Sequence, residues 1–453
     1  MKRKNHQNIV LDNCAEQVQR SSKRGISRRK FVQTSAGVVA AGALLRKRAF
    51  AAPRPLKIGF VSPETGFLAA FGEADAFILP KIRGLVQGGV QTGGATRQVE
   101  ILVRDSQSSS NRCSELAAEL IKSDGVDLMV AVGTPEDVNP VADQCELNKM
   151  PCVSDGTPWQ PYFFGRGGDP AKGFDWTYHF CWGTDVLSQA MADIFSQLPT
   201  NKVVGLLLGN DDDGNAISDP VKGIPPVFTA AGYKVFDPGR FVLTTNDFSA
   251  QISAYKNAHA EILFANMPFP FFSNFWSQAA MQAYKPKIAT IGKALLFPSA
   301  VSSLGARASD LSTEVWWGPA FPWKSSLTGQ TTRQLCDEYE EVAKKQWTQV
   351  LGIRNAVFEV ALDVFKRAQN PESAASIIEA VRTTKLNTIL GPVQWLGTPP
   401  NQWTKIPVKN VCTTPLVGGQ WVPGKKWAYD LVVVDNRRYP LIPVERKMVP
   451  MPG

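Results

Sequence analysis

Histidine is nearly missing from this chain: three in 453 residues, at His6, His179 and His259. That scarcity leaves no set of imidazoles for a zinc or iron site and few bases for a serine nucleophile. His179 and Cys181 share a strand face, but no third or fourth ligand accompanies them. Seven cysteines are present, none in a Cys-x-x-Cys spacing, so zinc-ribbon and thioredoxin readings have no support. Also absent are a Gly-x-Ser-x-Gly turn, a Gly-rich loop ending in Lys-Ser/Thr and a Gly-x-Gly-x-x-Gly, the commonest hydrolase, nucleotide and dinucleotide signatures. Residues 209–215 imitate a calcium loop through Asp211, Asp213 and Gly214. The first ligand position would be Gly209 and the twelfth Pro220, where a bidentate Glu is required. No cofactor, metal or catalytic residue is therefore expected. Beyond residue 52 no apolar run approaches the ~20 residues that span a bilayer, so no membrane span is expected in the mature chain.

A basic surface is lacking too, although the net charge is +9. Residues 1–52 hold twelve Lys/Arg and two Asp/Glu, which leaves 37 basic against 38 acidic residues in the remainder. Nucleic acid is not an expected partner. Inside the basic segment, Ser27-Arg28-Arg29-Lys30-Phe31-Val32-Gln33 opens a modestly apolar run to Leu45, followed by Ala49-Phe50-Ala51. A charged start, an apolar middle and a small-residue exit make an export leader over 1–52. The arginine pair points to the twin-arginine route, which carries folded cargo to the periplasm. Val32-Gln33 depart from its usual Leu-Lys. A basic tail with a short anchor is the alternative, but Gln33, Thr34 and Ser35 make that run too polar to span a bilayer well. Six cysteines follow the leader, at Cys113, Cys145, Cys152, Cys181, Cys336 and Cys412. An oxidising compartment permits disulfides, with Cys113 and Cys145 on consecutive predicted helices as one candidate pair. Burial as small apolar residues is the other reading.

What is present is a regular alternation. Apolar runs at 56–61, 99–103, 127–132, 203–208, 261–265 and 287–291 read as buried strands. Residues 112–123, 138–149, 186–198, 221–231 and 248–258 read as amphipathic helices, with 113, 116, 117, 120 and 121 apolar at helical spacing. Strands that alternate with helices pair in parallel through right-handed crossovers, which gives doubly wound sheets. The pattern runs once over 55–178 and again over 183–310, and the roughly 400 residues beyond the leader exceed one core, so two lobes are expected. After 313 come a strand at 314–318, helices at 331–346, 354–368 and 372–383, and short strands from 391 to 443. A chain that crosses between lobes repeatedly explains this order. Lobe 1 is expected over 55–180 plus 319–389, and lobe 2 over 183–315 plus 391–443. Residues 158–176, with Trp159, Tyr162, Phe163, Phe164 and Trp176, read as a long aromatic loop of the kind that is usually functional.

Six segments fall at the ends or starts of these elements: Pro63-Glu64-Thr65-Gly66-Phe67-Leu68-Ala69-Ala70-Phe71-Gly72, Asp105-Ser106-Gln107, Val132-Gly133-Thr134-Pro135, Val153-Ser154-Asp155-Gly156-Thr157, Asn246-Asp247-Phe248-Ser249-Ala250-Gln251-Ile252 and Gly391-Pro392-Val393-Gln394-Trp395. In this order they resemble the type I periplasmic binding proteins, the branched-chain amino-acid (Leu/Ile/Val) receptors of ABC importers, over about 56–435. The resemblance implies an α/β fold of two doubly wound parallel-sheet lobes joined by a three-strand hinge, with crossings near 180–184, 316–319 and 389–393. It also implies one small-molecule ligand closed between the lobes, and ABC-transporter permease subunits as partners.

In the family, positions matching Thr134 and Thr157, after Gly133 and Gly156, bind the ligand carboxylate through hydroxyl and backbone N–H groups. Helix capping by Thr is the alternative, with Pro135 in the same turn. Phe71 matches an aromatic that packs on the ligand, or else a core Phe. Trp159 would wall the cleft or pack the aromatic loop. The family's ammonium-binding acid falls in Gly292-Lys293-Ala294, where a cation at Lys293 would favour an anion or acceptor. Asp213 replaces a family aromatic, and Asp211 or Asp213 either contacts the ligand or forms a solvated turn. Phe269, Phe271 and Trp317 could line a pocket for a larger carboxylate. The expected ligand is a small carboxylate, either an amino acid or an aromatic or organic acid. A sensory module and an exported enzyme with carboxylate-pair chemistry remain alternatives.

Overall fold

The structure is a computed structural model that describes residues 53–398 and 406–452; the expected leader over 1–52 lies outside them. Seventeen strands are described: β1 (Leu56–Ser62), β2 (Val90–Thr92), β3 (Ala95–Arg97), β4 (Val99–Asp105), β5 (Leu128–Val132), β6 (Cys152–Asp155), β7 (Thr177–Phe180), β8 (Val203–Leu208), β9 (Lys234–Phe236), β10 (Ile262–Met267), β11 (Ile288–Lys293), β12 (Ser312–Val315), β13 (Lys385–Thr388), β14 (Gly391–Gln394), β15 (Val411–Cys412), β16 (Val417–Pro423) and β17 (Tyr429–Asp435). The first sheet runs β15-β7-β6-β5-β1-β4 and the second β17-β16-β12-β11-β10-β8-β9. Every pair in the first sheet is parallel. In the second, β16 and β17 add an antiparallel edge to a parallel core. Strands buried on both faces carry unbroken apolar runs, and β5 (LMVAV) and β10 (ILFANM) are buried at every position. This is the expected two-lobed α/β architecture.

The long helix Val350–Arg367 is buried over most of its length, because it packs under the first sheet. Phe358 meets Phe60 of β1 edge to face at 5.8 Å. The helix Asp75–Leu85 flanks it and buries Phe77, Ile78 and Ile82.

Four expectations change. First, β12 stops at Val315, earlier than 318, because the Trp316 N–H leaves the ladder and donates to Gln349 Oε1 at 2.6 Å. Second, the third crossing lies after Cys412, later than 389–393. β14 folds back on β13 as a hairpin, and β15 joins the first sheet beside β7. There the His179 and Cys181 N–H groups donate to the carbonyls of Asn410 and Cys412. Residues 391–412 therefore pair with lobe 1 where they are described. Third, the aromatic loop contains a short helix, Trp159–Gly165, whose Trp159, Tyr162 and Phe163 are fully buried. Fourth, the candidate disulfide is not formed. All six described cysteines are buried free thiols, Cys113 and Cys145 included. Burial pushes the Cys113 thiol up to about 12.

Candidate functional site

Residues just past the carboxyl ends of strands in both sheets line one cavity, where ligands of open parallel sheets bind. Lobe 1 supplies Phe71, Thr134, Gly156 and Pro158; lobe 2 supplies Leu187, Asp213, Ile217, Asn266, Lys293 and Glu314; Trp182 and Trp316 come from the hinge. The lobes are shut, and the space left between them is about 10 Å³, roughly the room one water needs. A guest of several heavy atoms enters only when the lobes part. A wider groove of about 400 Å³ on the outer side of lobe 2 holds Asp193, Tyr233 and Arg438. Arg438 pairs there with Asp193 at 2.7 Å.

The lobe 1 face is stiff. Thr134 caps the helix Pro135–Asn148 in a capping box with Asp137. Its N–H and its hydroxyl both donate to Asp137 Oδ2, each at 3.1 Å. Burial, reinforced by neighbouring Glu136, pushes the Asp137 carboxyl up to about 6. Gly156 has φ +96°, and a Cβ there would stand 2.9 Å from the Gly133 nitrogen. Glycine is what lets these two loops touch. The Gly156 N–H donates to Asp155 Oδ1 at 2.6 Å. Beneath lies Arg354, which the sequence reading missed. Its guanidinium donates to the carbonyls of Val132 (2.9 Å) and Phe71 (2.8 Å) and pairs with Asp75 at 2.8 Å, both side chains buried. One cation thus ties together the loops after β1 and β5.

The lobe 2 face is charged. Lys293 ends β11 at φ +57°, ψ −64°, a strained conformation for a side-chain-bearing residue. It is buried, with Nζ 2.7 Å from Asp213 and 3.2 Å from Asp211. Asp211 also caps the helix Asp212–Ser218 through the Gly214 N–H at 2.7 Å. Lys293 is therefore a neutralised cation, not the free positive charge the sequence implied. Asp213 is held up to about 7, first by burial and then by Glu136 and Asp211, against the pull of Lys293. Glu314 is also pushed up to about 7, chiefly by burial. Across the cleft, Glu136 Oε1 accepts the Asp212 N–H at 3.1 Å, and Phe71 meets Phe297 edge to face at 5.0 Å.

Of the expected site residues, Phe71, Thr134, Gly156, Asp213 and Lys293 line the cavity, and Asp211 stands behind Lys293. Thr157 is buried next to it with an unpartnered hydroxyl, and its carbonyl bonds His179 Nε2 at 2.8 Å. His179 is thus a buried structural link; burial drives it down to about 3. Pro135 serves as the first residue of its helix. Three others fall elsewhere. Trp159 packs in the lobe 1 core. Trp317 lies over Gly352 and donates its indole N–H to the Ile389 carbonyl at 3.1 Å. Phe269 opens the helix Phe269–Met281 outside the cavity lining. The sequence reading also missed Trp182, Asn266, Glu314 and Trp316. Their one signal is position, each at or just past a strand end. Among the described residues no His/Cys/Asp/Glu cluster could hold a metal, and no helix is long and apolar enough to cross a membrane.

Two hinged α/β lobes around a cleft at their strand ends define a ligand-binding receptor of the periplasmic type. A family model for periplasmic binding proteins matches residues 55–404. The chain belongs to that family, and its fold is that of the type I binding proteins. Its structure is similar to the leucine-binding protein of Thermotoga maritima, at 19% identity and TM-score 0.65, covering 84% of this chain and 99% of that one. It is also similar to an ABC-transporter solute-binding protein of Rhodopseudomonas palustris in complex with 3,4-dihydroxybenzoic acid, at 17% identity and TM-score 0.66, covering 88% and 99%. A second R. palustris solute-binding protein, in complex with 4-hydroxybenzoate, matches at 16% identity and TM-score 0.65, covering 86% and 99%. No curated protein sequence matches the chain.

Proposed function

We propose that this protein is an exported receptor that closes on one small carboxylate-bearing ligand and presents it to ABC-transporter permease subunits without altering it. The ligand we favour is an aromatic acid with a hydroxyl or amino substituent. The observation that carries this reading is the polarity of the cavity. Its lining combines aromatic walls from Phe71, Trp182 and Trp316 with acidic groups at Asp213 and Glu314. Such a site suits a flat guest that offers a donor at one end and acceptor oxygens away from it. Solute-binding proteins of this fold in complex with hydroxybenzoates agree with it. The chain would reach the periplasm by a twin-arginine leader over 1–52.

Thermal-shift and fluorescence titration against 4-hydroxybenzoate, 3,4-dihydroxybenzoate, phenylalanine and leucine tests the ligand class. Saturable stabilisation by aromatic acids is expected. Tight leucine binding with no response to any aromatic acid would sink it. Deleting the gene should also abolish uptake of the bound compound. Replacing Arg28 and Arg29 by Lys should block export.

A further inference from the structure

We propose that the indole N–H groups of Trp182 and Trp316 form a fixed anchor on the hinge floor of the cleft and grip an acceptor oxygen of the ligand, a carboxylate or carbonyl. This rests on the receptor reading above and assigns its recognition to two residues that the sequence did not single out.

Both tryptophans stand in chain segments that pass between the lobes, Trp182 after β7 and Trp316 after β12. Both are 4% exposed and both line the interlobe cavity. Their rings lie 5.2 Å apart at 54°. Neither Nε1 has a hydrogen-bond partner. A buried donor left unpaired costs about 1–3 kcal/mol, and folded proteins rarely keep one without a use. By contrast, the indoles of Trp276, Trp317, Trp395, Trp421 and Trp427 each donate to an oxygen within 3.1 Å. Trp159 also lacks a fully formed bond, but Asp185 stands beside its ring and the residue is not in the cavity lining. The two unsatisfied indoles of the cavity are thus a matched pair.

Their chemistry is one-sided. An indole N–H only donates, so the pair accepts no ammonium and binds only an atom with a free lone pair. Two donors on the lobe 1 face are already engaged, Thr134 by Asp137 and Gly156 by Asp155. The indoles are the buried N–H donors of the cavity lining that lack a partner, with the unpartnered Thr157 hydroxyl next to them. Because they ride on the hinge, their spacing is held while the lobes move around it.

The test is calorimetry on wild type, W182F, W316F and the double variant with benzoate, 4-hydroxybenzoate, phenylalanine, leucine and benzylamine. Phenylalanine in place of tryptophan keeps an aromatic wall and removes the N–H, and circular dichroism checks that each variant is folded. The expectation is that an acid binds wild type and weakens about tenfold or more for each N–H removed. Benzylamine, with no acceptor, should not bind. In protein labelled with ¹⁵N-tryptophan, the indole signals lost in W182F and W316F should shift on binding, while that of Trp317 stays put. If an acid binds wild type and both single variants equally, the anchor is wrong and the receptor reading survives. If wild type takes benzylamine and no acid, or takes no acid at all, the anchor and the carboxylate reading fall together.

Discussion

The two faces of the cleft are built on opposite principles. On lobe 1, Thr134 and Gly156 bond acids of their own lobe, with Arg354 as a buried strut. Lobe 2 presents Lys293, Asp211, Asp213 and Glu314, ionisable groups crowded where burial disfavours charge. The first face is knit together by bonds within its own lobe. The second changes charge near neutrality. A receptor made this way can keep one half as a template while the other half responds to its surroundings.

The sharpest way to break that contrast is to remove each cation. Arg354→Met leaves Asp75 buried and unpaired and cuts the tie to the Phe71 and Val132 carbonyls. A loss of about 3–5 kcal/mol is expected in urea unfolding. Lys293→Met should cost less, because its acid neighbours can take up protons, and Asp213 is already held up to about 7. Equal losses for the two variants at pH 6.5 would erase the distinction.

A second test concerns closure. In the shut form Asp213 is raised first by burial and then by Glu136, which reaches over from lobe 1, and Lys293 opposes both. Opening relieves these effects, so the open form holds the proton less tightly. The shut form therefore gains as pH falls through about 7 towards the ordinary carboxylate range, and loses as pH rises. With one proton involved, the closed-to-open ratio changes at most about tenfold per pH unit. Fluorescence transfer between dyes on the two lobes of ligand-free protein, from pH 8 to 5.5, should follow it. Glu136→Gln should flatten the profile without erasing it, since burial is the larger cause. A profile that slopes the other way would refute the scheme.

The smallest expected effect is at the caps. Thr134→Ala removes one capping hydroxyl and should cost about 1 kcal/mol. Asp211→Ala removes a cap and half of the Lys293 pairing, so it should cost more in the same unfolding measurement.

Much of this architecture was legible beforehand. Strands buried on both faces cannot hide their apolar runs, so 203–208 read directly as β8, and the glycine–threonine strand ends led to Thr134 and Gly156. The site was legible only along the chain, not across it. The sequence points to Trp317 while Trp316 lines the cavity, because the residue types do not reveal which of two adjacent indoles meets the cleft. Lys293 read as a bare cation because its partners, Asp211 and Asp213, lie some eighty positions earlier and on another strand end. Arg354 was invisible for the same reason, with Asp75 far upstream. The late return of β15 to the first sheet was missed because a two-residue strand has no periodicity to detect.

The six sealed thiols carry one last consequence. An oxidant that met this polypeptide while it was still unravelled could cross-link sulfurs that the finished protein keeps reduced, and each such bridge would have to be undone before the core could close. Maturation before exposure to that chemistry, in a compartment rich in reductant, avoids the hazard. Passage through the membrane in finished form, the route proposed above, fits an interior of this kind.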